Sequence, residues 1–516
     1  ALVRRAIPIL ATLVTLTAAS ASRASTALEY PDNGVAQFSR GGAWLATATD
    51  PIAGYYNPAA LATQATSFSI GLNLAFQNVC FERKGPDGTD IGPSKGLTDQ
   101  GITYGEVCNS NAGHPNLIPN VAFVWRASER LGIGLTIVPP SSFGQLEWPD
   151  LVAMPENHSS GRTAPTPAPQ RYLSLYTKGT ILFPTLSVGY SVTDRFHIGA
   201  GFVAGIALLE FRSMSMANVD STNPYDQYTQ DSRSRVQAQD LFVPGVVASA
   251  LFEATDHLDL AAWYRYSDKI RAKGDLEVTA QYYDSAGRRN PKAEVTKSKD
   301  QKGADAAKVV LTLPMEARIG ARWHMPLAAP TGLDAERFRK DRHRVRDPLR
   351  DDLYDLELDL TWANNGSAEA TEIRFPEGIF VANLGTVPTN ADRPTGWRDS
   401  FGARLGMQYN AIRNRMGLRT GTWVESNATK EEYLSVTGVP ALRGGVAVGM
   451  VLRIQGVDLE TGYQHIWNAG LDNEGNGKQR AIAASGSPDS RSHHAVNGGS
   501  VTQHANVFSL GAVARF

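Results

Sequence analysis

Between Tyr354 and Trp362 apolar and polar side chains alternate without a break. Tyr354, Leu356, Leu358, Leu360 and Trp362 fall on one face, and Asp355, Glu357, Asp359 and Thr361 on the other. A period of two is that of a β-strand, whose successive side chains point to opposite faces. The pattern returns at Phe401, Ala403, Leu405, Met407 and Tyr409 against Arg404 and Gln408. It returns again at Leu442, Val446, Val448, Met450, Leu452 and Ile454 against Arg443, Ala447, Gly449 and Arg453. Read this way, the chain predicts fourteen strands, over 66–79, 116–126, 131–138, 180–192, 195–213, 240–253, 257–280, 305–325, 353–371, 397–411, 414–424, 442–454, 456–467 and 504–516. Most reach the roughly 9–11 residues that a tilted strand needs to cross a bilayer. Short connections (Ala127–Arg130, Thr193–Asp194, Thr255–Asp256, Ile412–Arg413, Gln455) alternate with long ones (80–115, 139–179, 214–239, 281–304, 468–503). The 326–352 connection breaks this rhythm. It stands where a short turn belongs, yet carries Pro326, Pro330 and a basic run from Arg337 to Arg350, read here as a solvated charged insertion.

Alternation of this kind fits a soluble β-sandwich with its apolar face inward or a membrane barrel with that face toward lipid. Other features select the barrel. Aromatics bracket the apolar faces, the strand number is even, and the terminal Phe516 shares a face with Phe508 and Leu510, as an outer-membrane assembly signal would. At the start, Arg4 and Arg5 precede an apolar stretch from Ala6 to Ala19, followed by small residues (Ala19-Ser20-Ala21 or Ser22-Arg23-Ala24). That pattern predicts a secretory signal peptide over 1–25 rather than a spanning helix. Past residue 25 no run of about 18 uninterrupted apolar residues occurs. The expectation is an all-β protein: a 14-stranded antiparallel transmembrane β-barrel over 66–516. It would sit in the bacterial outer membrane among lipid, after insertion by the barrel-assembly machinery.

Composition narrows function. With 50 basic against 51 acidic residues the chain offers no electrostatic footprint for nucleic acid. Enzyme motifs are missing: no nucleophile elbow, metalloprotease His-Glu pair, Walker loop or zinc-type cysteine spacing occurs. The run Asp472-Asn473-Glu474-Gly475-Asn476-Gly477 has the look of a calcium loop, but its twelfth position is Ala483, where a bidentate Glu is required. His493-His494 reads as a solvent-exposed pair, and His465 is the nearest candidate for a site hidden on separate strands. Cys80 and Cys108, the only cysteines, lie in the first long loop. In an oxidising compartment a disulfide is the economical reading. A two-thiolate metal site would have only His114 nearby. No metal or cofactor is expected.

The stretch 26–65 is neither strand-like nor helical over any length. Its Gly42-Ala43-Trp44-Leu45-Ala46, Asp50-Pro51 and Tyr55-Tyr56-Asn57-Pro58-Ala59-Ala60-Leu61-Ala62 resemble the amino-terminal hatch of the FadL/TodX outer-membrane transporters of fatty acids and hydrocarbons, with Asn57, Pro58 and Ala59 as the most specific part. Tyr264-Arg265-Tyr266-Ser267-Asp268-Lys269-Ile270 with Lys273-Gly274, Leu311-Thr312-Leu313-Pro314 and the terminal Ala514-Arg515-Phe516 are similar to later segments of that family. The resemblance implies a monomeric barrel plugged by residues 26–65. It would take a hydrophobic small molecule from outside and release it through a side opening into the membrane. In the family an inward kink of the third strand makes that opening, which draws attention to Gly132, Gly134, Pro139 and Pro140; Pro139-Pro140 ending the strand is the plainer alternative.

A fatty-acid carboxylate would need a cation. Glu210-Phe211-Arg212 resembles a family segment that ends in a carboxylate-binding Arg. Arg404 and Arg419, on the non-lipid faces of consecutive strands, are expected near one another as a second candidate, or else as lumen filling paired with Asp355, Glu357 and Asp359. Two other functions fit the same barrel: a general diffusion porin and an outer-membrane barrel enzyme.

Overall fold

The computed structural model describes residues 32–139, 144–157, 159, 161–216, 231–327, 345–382, 385–483 and 490–516. The expected signal peptide therefore lies outside the described residues. Fourteen antiparallel strands close on themselves. They are β1 (Ser67–Arg83), β2 (Asn116–Arg126), β3 (Leu131–Val138, resumed at Gly144–Glu147), β4 (Tyr176–Ser191), β5 (Phe196–Ser215), β6 (Ser232–Glu253) and β7 (Leu258–Ser267 and Ile270–Thr279). Then follow β8 (Ala307–Leu311 and Glu316–Pro326), β9 (Asp352–Ala363), β10 (Ser400–Ile412), β11 (Met416–Glu425), β12 (Arg443–Ile454), β13 (Val457–Asn468) and β14 (Gly499–Arg515). Each strand pairs with its neighbours in sequence, and β14 returns to β1 over the whole register from Ser67↔Arg515 to Arg83↔Gly499. Pairing the last strand with the first spares the sheet two open ends in lipid, where a bare N–H or C=O would be costly. Among the described residues no helix is long and apolar enough to cross a membrane.

The alternation fixes which face looks out. On β9, Leu356, Leu358 and Leu360 are exposed, while Asp355, Glu357 and Asp359 are buried inside. Outward aromatics gather near the short-turn end (Trp125, Tyr190, Phe196, Phe252, Trp323, Tyr409) and again toward the long-loop end (Tyr266, Phe401, Trp467). These girdles bracket an apolar band, as in outer-membrane barrels. Tight turns at the short end need the left-handed backbone, supplied at Asn414 (φ 57°) and at Gln455-Gly456 (φ 50° and 84°).

Two departures from the predicted strands shape the wall. The run expected as one strand over 353–371 stops at Ala363. A one-turn 3-10 helix follows at Asn365–Ser367, and a separate short strand at Ala370–Arg374 extends the wall outward beside β8. On β3, pairing with β2 ends at Val121↔Ile137, whereas pairing with β4 runs on to Val138↔Phe183 and resumes at Gly144↔Gly179. Among the described residues, Asn116 to Asn120 of β2 thus have no strand partner on that side. The nearest tie is the Gln145 N–H donating to Asn116 Oδ1 at 2.8 Å.

The outer end is roofed by loops. Cys80 and Cys108 stand opposite each other in register and are joined as a disulfide. Loop side chains, including Trp148, Tyr172, Tyr283, Leu434 and Val436, form a second apolar cluster with Phe81 beneath them.

Replacing Leu358 by Lys is expected to weaken folding into bilayers by about 2–4 kcal/mol, the cost of a cation on a barrel's lipid face near the midplane. Urea titration in vesicles, followed by heat-modifiable gel mobility, measures it.

Candidate functional site

Residues 32–66 lie inside this wall. Short helices at Val35–Phe38 and Ala53–Tyr56 and a 3-10 turn at Pro58–Thr63 are joined by irregular backbone, and the amides of Trp44 to Thr47 take their acceptors from outside the segment. The lumen face of β9 supplies them. Asp359 accepts the N–H groups of Trp44 and Leu45 at 3.0 and 3.1 Å. Glu357 accepts those of Ala46 and Thr47 at 2.5 and 3.1 Å, together with the Thr47 hydroxyl. Arg40, fully buried, completes the column with its guanidinium 2.6 Å from Asp355 and 3.5 Å from Glu357. A charged acceptor on a backbone N–H is among the stronger hydrogen bonds.

Asn57, Pro58 and Ala59 have separable roles. Asn57 Nδ2 donates to the Leu45 carbonyl at 2.7 Å and folds the segment back on itself. Pro58 opens the 3-10 turn, where its missing N–H costs nothing. The Ala59 N–H donates to Ser249 Oγ at 2.8 Å. A Cβ on Gly199 would stand 2.3 Å from the Ala59 nitrogen, so the wall must be bare there. Gly132 and Gly134 serve the same end. A Cβ on Gly132 would lie 2.1 Å from the Leu61 carbonyl oxygen, and one on Gly134 would meet the Leu61 side chain at 3.0 Å. Tyr55 reaches the far wall, where its carbonyl accepts Trp263 Nε1 at 2.8 Å and its hydroxyl accepts Arg265 at 2.7 Å.

At the short-turn end the β8–β9 connection departs from the expected solvated insertion. Most of its basic run lies outside the described residues, but residues 345–351 are folded across the barrel floor. The Arg346 N–H donates to the Thr63 carbonyl at 2.9 Å. Its guanidinium donates to the Ala46 carbonyl at 3.0 Å and pairs with Asp259. Next to it, Asp347 receives both terminal nitrogens of Arg453 at 2.5 and 3.1 Å. Pro348 and Leu349 are buried. A charged run reads as solvated when the carboxylates and carbonyls that receive it come from distant elements.

The three arginines singled out from the sequence are each engaged. Arg404 pairs with Asp32 and, at 2.7 Å, with Glu425. Arg419 pairs with Glu460 at 2.7 Å and bonds Gln408 at 2.8 Å. They are not neighbours: register sets Arg404 opposite Trp423 and Arg419 opposite Gln408, four residues apart along β10, or about 13 Å. Among the described residues neither makes an ion pair with Asp355, Glu357 or Asp359, although Arg404 stands opposite Asp359 in register; those carboxylates serve the inner segment and, for Asp355, also Arg322. Arg212 shares Glu210 with Arg235 and lies over the Tyr176 ring at 4.2 Å. The Pro139 carbonyl accepts Asn33 Nδ2 at 2.9 Å; Pro140 lies outside the described residues. Phe516 is exposed, with its N–H on the Thr66 carbonyl.

A cation that the sequence did not flag occupies the outer half of the lumen. Arg393, in the β9–β10 loop, lines a cavity of about 130 Å3 and a smaller one of about 40 Å3, together with Phe211 and Ile373. It donates to two neutral acceptors, the Leu173 carbonyl at 2.6 Å and Ser213 Oγ at 2.7 Å. Among the described residues it makes no ion pair. Sequence would pair it with adjacent Asp392, but that carboxylate goes to Arg374. Burial, and then the charge of Arg491, push Arg393 down to about 10.

Two outcomes test how the inner segment is held. Glu357→Ala removes acceptors from two amides and a hydroxyl and half the counter-charge of Arg40. Losing one partner of a buried pair costs about 3–5 kcal/mol, so amide exchange of residues 44–47 is expected to rise while the barrel keeps its heat-modifiable mobility. Asp50 gives a pH dependence. Burial first, and then the charge of Glu460, raise its carboxyl to about 7. A raised folded-state value means that the contribution is full below the unfolded value of about 4 and is lost as pH rises through about 7. After correction for intrinsic rates, segment amides are expected to exchange faster at pH 8 than at pH 5, and Asp50→Asn should flatten that difference.

Residues 13–328 match the family model described as outer membrane protein transport protein (OMPP1/FadL/TodX). No curated protein matches the chain. Solved structures do match: a FadL homologue from Pseudomonas aeruginosa (16% identity, TM-score 0.66), the P. putida toluene transporter TodX (13%, 0.58) and the Ralstonia pickettii toluene transporter TbuX (14%, 0.51). Each alignment covers 95% of this chain and 99% of the other, and at such identities the likeness establishes a common fold. The family match over more than half of the chain, with this fold and no enzyme among the family or these neighbours, places the protein in the OMPP1/FadL/TodX family of outer-membrane transporters of hydrophobic compounds.

Proposed function

We propose that this barrel takes a hydrophobic small molecule from the medium into the cavities beneath its outer loops and releases it sideways into the membrane. In this reading residues 1–25 are a signal peptide, 26–65 a hatch and 66–516 the barrel, inserted as a monomer by the assembly machinery. The observation that carries it is the filled floor beneath open apolar cavities. Below Arg393 the lumen is occupied by Trp44, Tyr55, Leu61 and their neighbours, all buried, and residues 345–351 underlie them. A diffusion porin needs a continuous water path, and the buried packing of residues 44–61 supports a plugged barrel instead. An apolar solute gains about 25 cal/mol per Å2 from surface like that around Phe211 and Ile373 and little from a wet pore.

A lateral route agrees with the interrupted β2–β3 ladder. There the hatch residue Asn33 touches Pro139 at the edge of the gap, so movement of the hatch tip and access to the gap are physically linked. Gly132 and Gly134 enter as seats for Leu61 rather than as bend points.

Saturable binding of toluene or palmitate by the detergent-purified protein, with no chemical change in the ligand, is the expected result. Absence of binding for every fatty acid and hydrocarbon tried, up to the solubility limit, overturns the reading. The floor is tested separately. Arg346→Ala removes a charge-assisted tie between the hatch and Asp259, so uptake of a small polar solute by proteoliposomes is expected to rise about tenfold or more. Wild-type leak in that variant would show that residues 345–351 do not help retain the hatch.

A further inference from the structure

We infer that the outer cavities bind a compact anionic amphiphile, with a single carboxylate on Arg393 and an apolar body of about one aromatic ring in the larger chamber. This rests on the transporter reading above and specifies its ligand. Three observations converge on the site.

The first is charge. Arg393 is half-buried beside Arg491, yet the hydrogen bonds it makes among the described residues end on neutral oxygens. Buried charges are normally paired, because an isolated one is expensive to keep out of water. The other lumen cations discussed above have carboxylates: Arg40 has Asp355, Arg404 has Glu425, and Arg419 has Glu460. Arg393 is the exception among them, and the local acid that could have served it, Asp392, is held by Arg374. With two of its five donors used, the planar fork retains N–H groups for an incoming carboxylate, which it matches bidentately.

The second is position. Arg393 borders both cavities, with Phe211 and Ile373 as their other common wall. A head group held there leaves the attached body adjacent to apolar surface. In the smaller chamber the serines Ser213, Ser215, Ser232 and Ser234 line one side, and hydroxyls beside the cation suit the head more than the tail.

The third is size. The larger chamber holds about 130 Å3, and an apolar protein cavity of about 150 Å3 accommodates benzene. A ring-sized body therefore fits without rearrangement, whereas a long acyl chain would need the roof or the hatch to move. Charge and volume together favour an aromatic or short branched monocarboxylate over both a neutral hydrocarbon and a long-chain acid.

Calorimetry on the full chain in detergent, with benzoate, toluene and palmitate as probes at pH 7, tests this. Benzoate is expected to bind wild type more tightly than toluene. Arg393→Gln is expected to lose benzoate affinity by about tenfold to a hundredfold, the range for a charge-assisted hydrogen bond, with toluene changed less than threefold. Equal affinity of wild type for benzoate and toluene overturns the inference without any variant, and so does benzoate binding that survives Arg393→Gln in a correctly folded barrel. Tighter binding of palmitate than of benzoate overturns the size argument. If none of the three probes binds, the transporter reading fails, and that result is distinct from toluene binding without a benzoate preference.

Discussion

A segment with little regular structure can occupy a barrel only if its backbone amides find acceptors inside. Here that requirement is met chiefly by one column of side chains, Asp355, Glu357 and Asp359 on β9, which receive four consecutive N–H groups from Trp44 to Thr47 and the guanidinium of Arg40. Remove the column and the lumen would hold four amide donors without acceptors and the Arg40 guanidinium without a counter-charge, each costly away from water. The rest of the interior is arranged around this contact. Bare glycine positions let the segment's backbone approach β3 and β5, Tyr55 bridges to β7, and Arg346 closes from below.

The same arrangement explains how a barrel can be both tightly filled and able to act. Apolar packing of Ile52, Tyr55 and Leu61 against Val124, Phe183 and Val203 is joined to ion pairs and hydrogen bonds whose strength depends on remaining dry. Water admitted at one point weakens the electrostatic contacts next to it, because the attraction falls as the local dielectric rises. The contact between Asn33 and Pro139 sets one such point beside the interrupted β2–β3 ladder. The outer cavities lie on the other side of the inner segment, where Arg393 makes no ion pair among the described residues. In the transport cycle proposed above, one folded segment would separate loading from release.

Much of this was legible in the residues. The alternation at 354–362 placed leucines outward and acids inward, and the structure has them so. Fourteen strands follow from the same pattern. The Asn57-Pro58-Ala59 run pointed to an internal segment by resemblance, although its logic, a fold-back bond, a permitted proline and a donor to Ser249, needed the coordinates. Other expectations failed for an identifiable cause. Arg404 and Arg419 were expected as neighbours, but strand-to-strand register depends on turn geometry, and the β10–β11 turn offsets them by four residues. The 326–352 connection was read as a solvated insertion because the groups that receive its folded part, such as the Ala46 carbonyl and Asp259, come from distant elements. Arg393 carries no sequence signal of its own, because only the folded loops show that its neighbour Asp392 pairs with Arg374.

Period-two alternation, membrane-girdle aromatics and an even strand number were enough to specify the barrel and its inside-out polarity, because these depend on local backbone geometry and on lipid excluding charge. Which carboxylate meets which guanidinium could not follow from the chain alone. Those pairings join residues up to hundreds of positions apart, such as Arg40 with Asp355, and closure of the wall around the inner segment selects them. That Arg393 makes no ion pair among the described residues, while Asp392 beside it pairs with Arg374, becomes visible only after that selection.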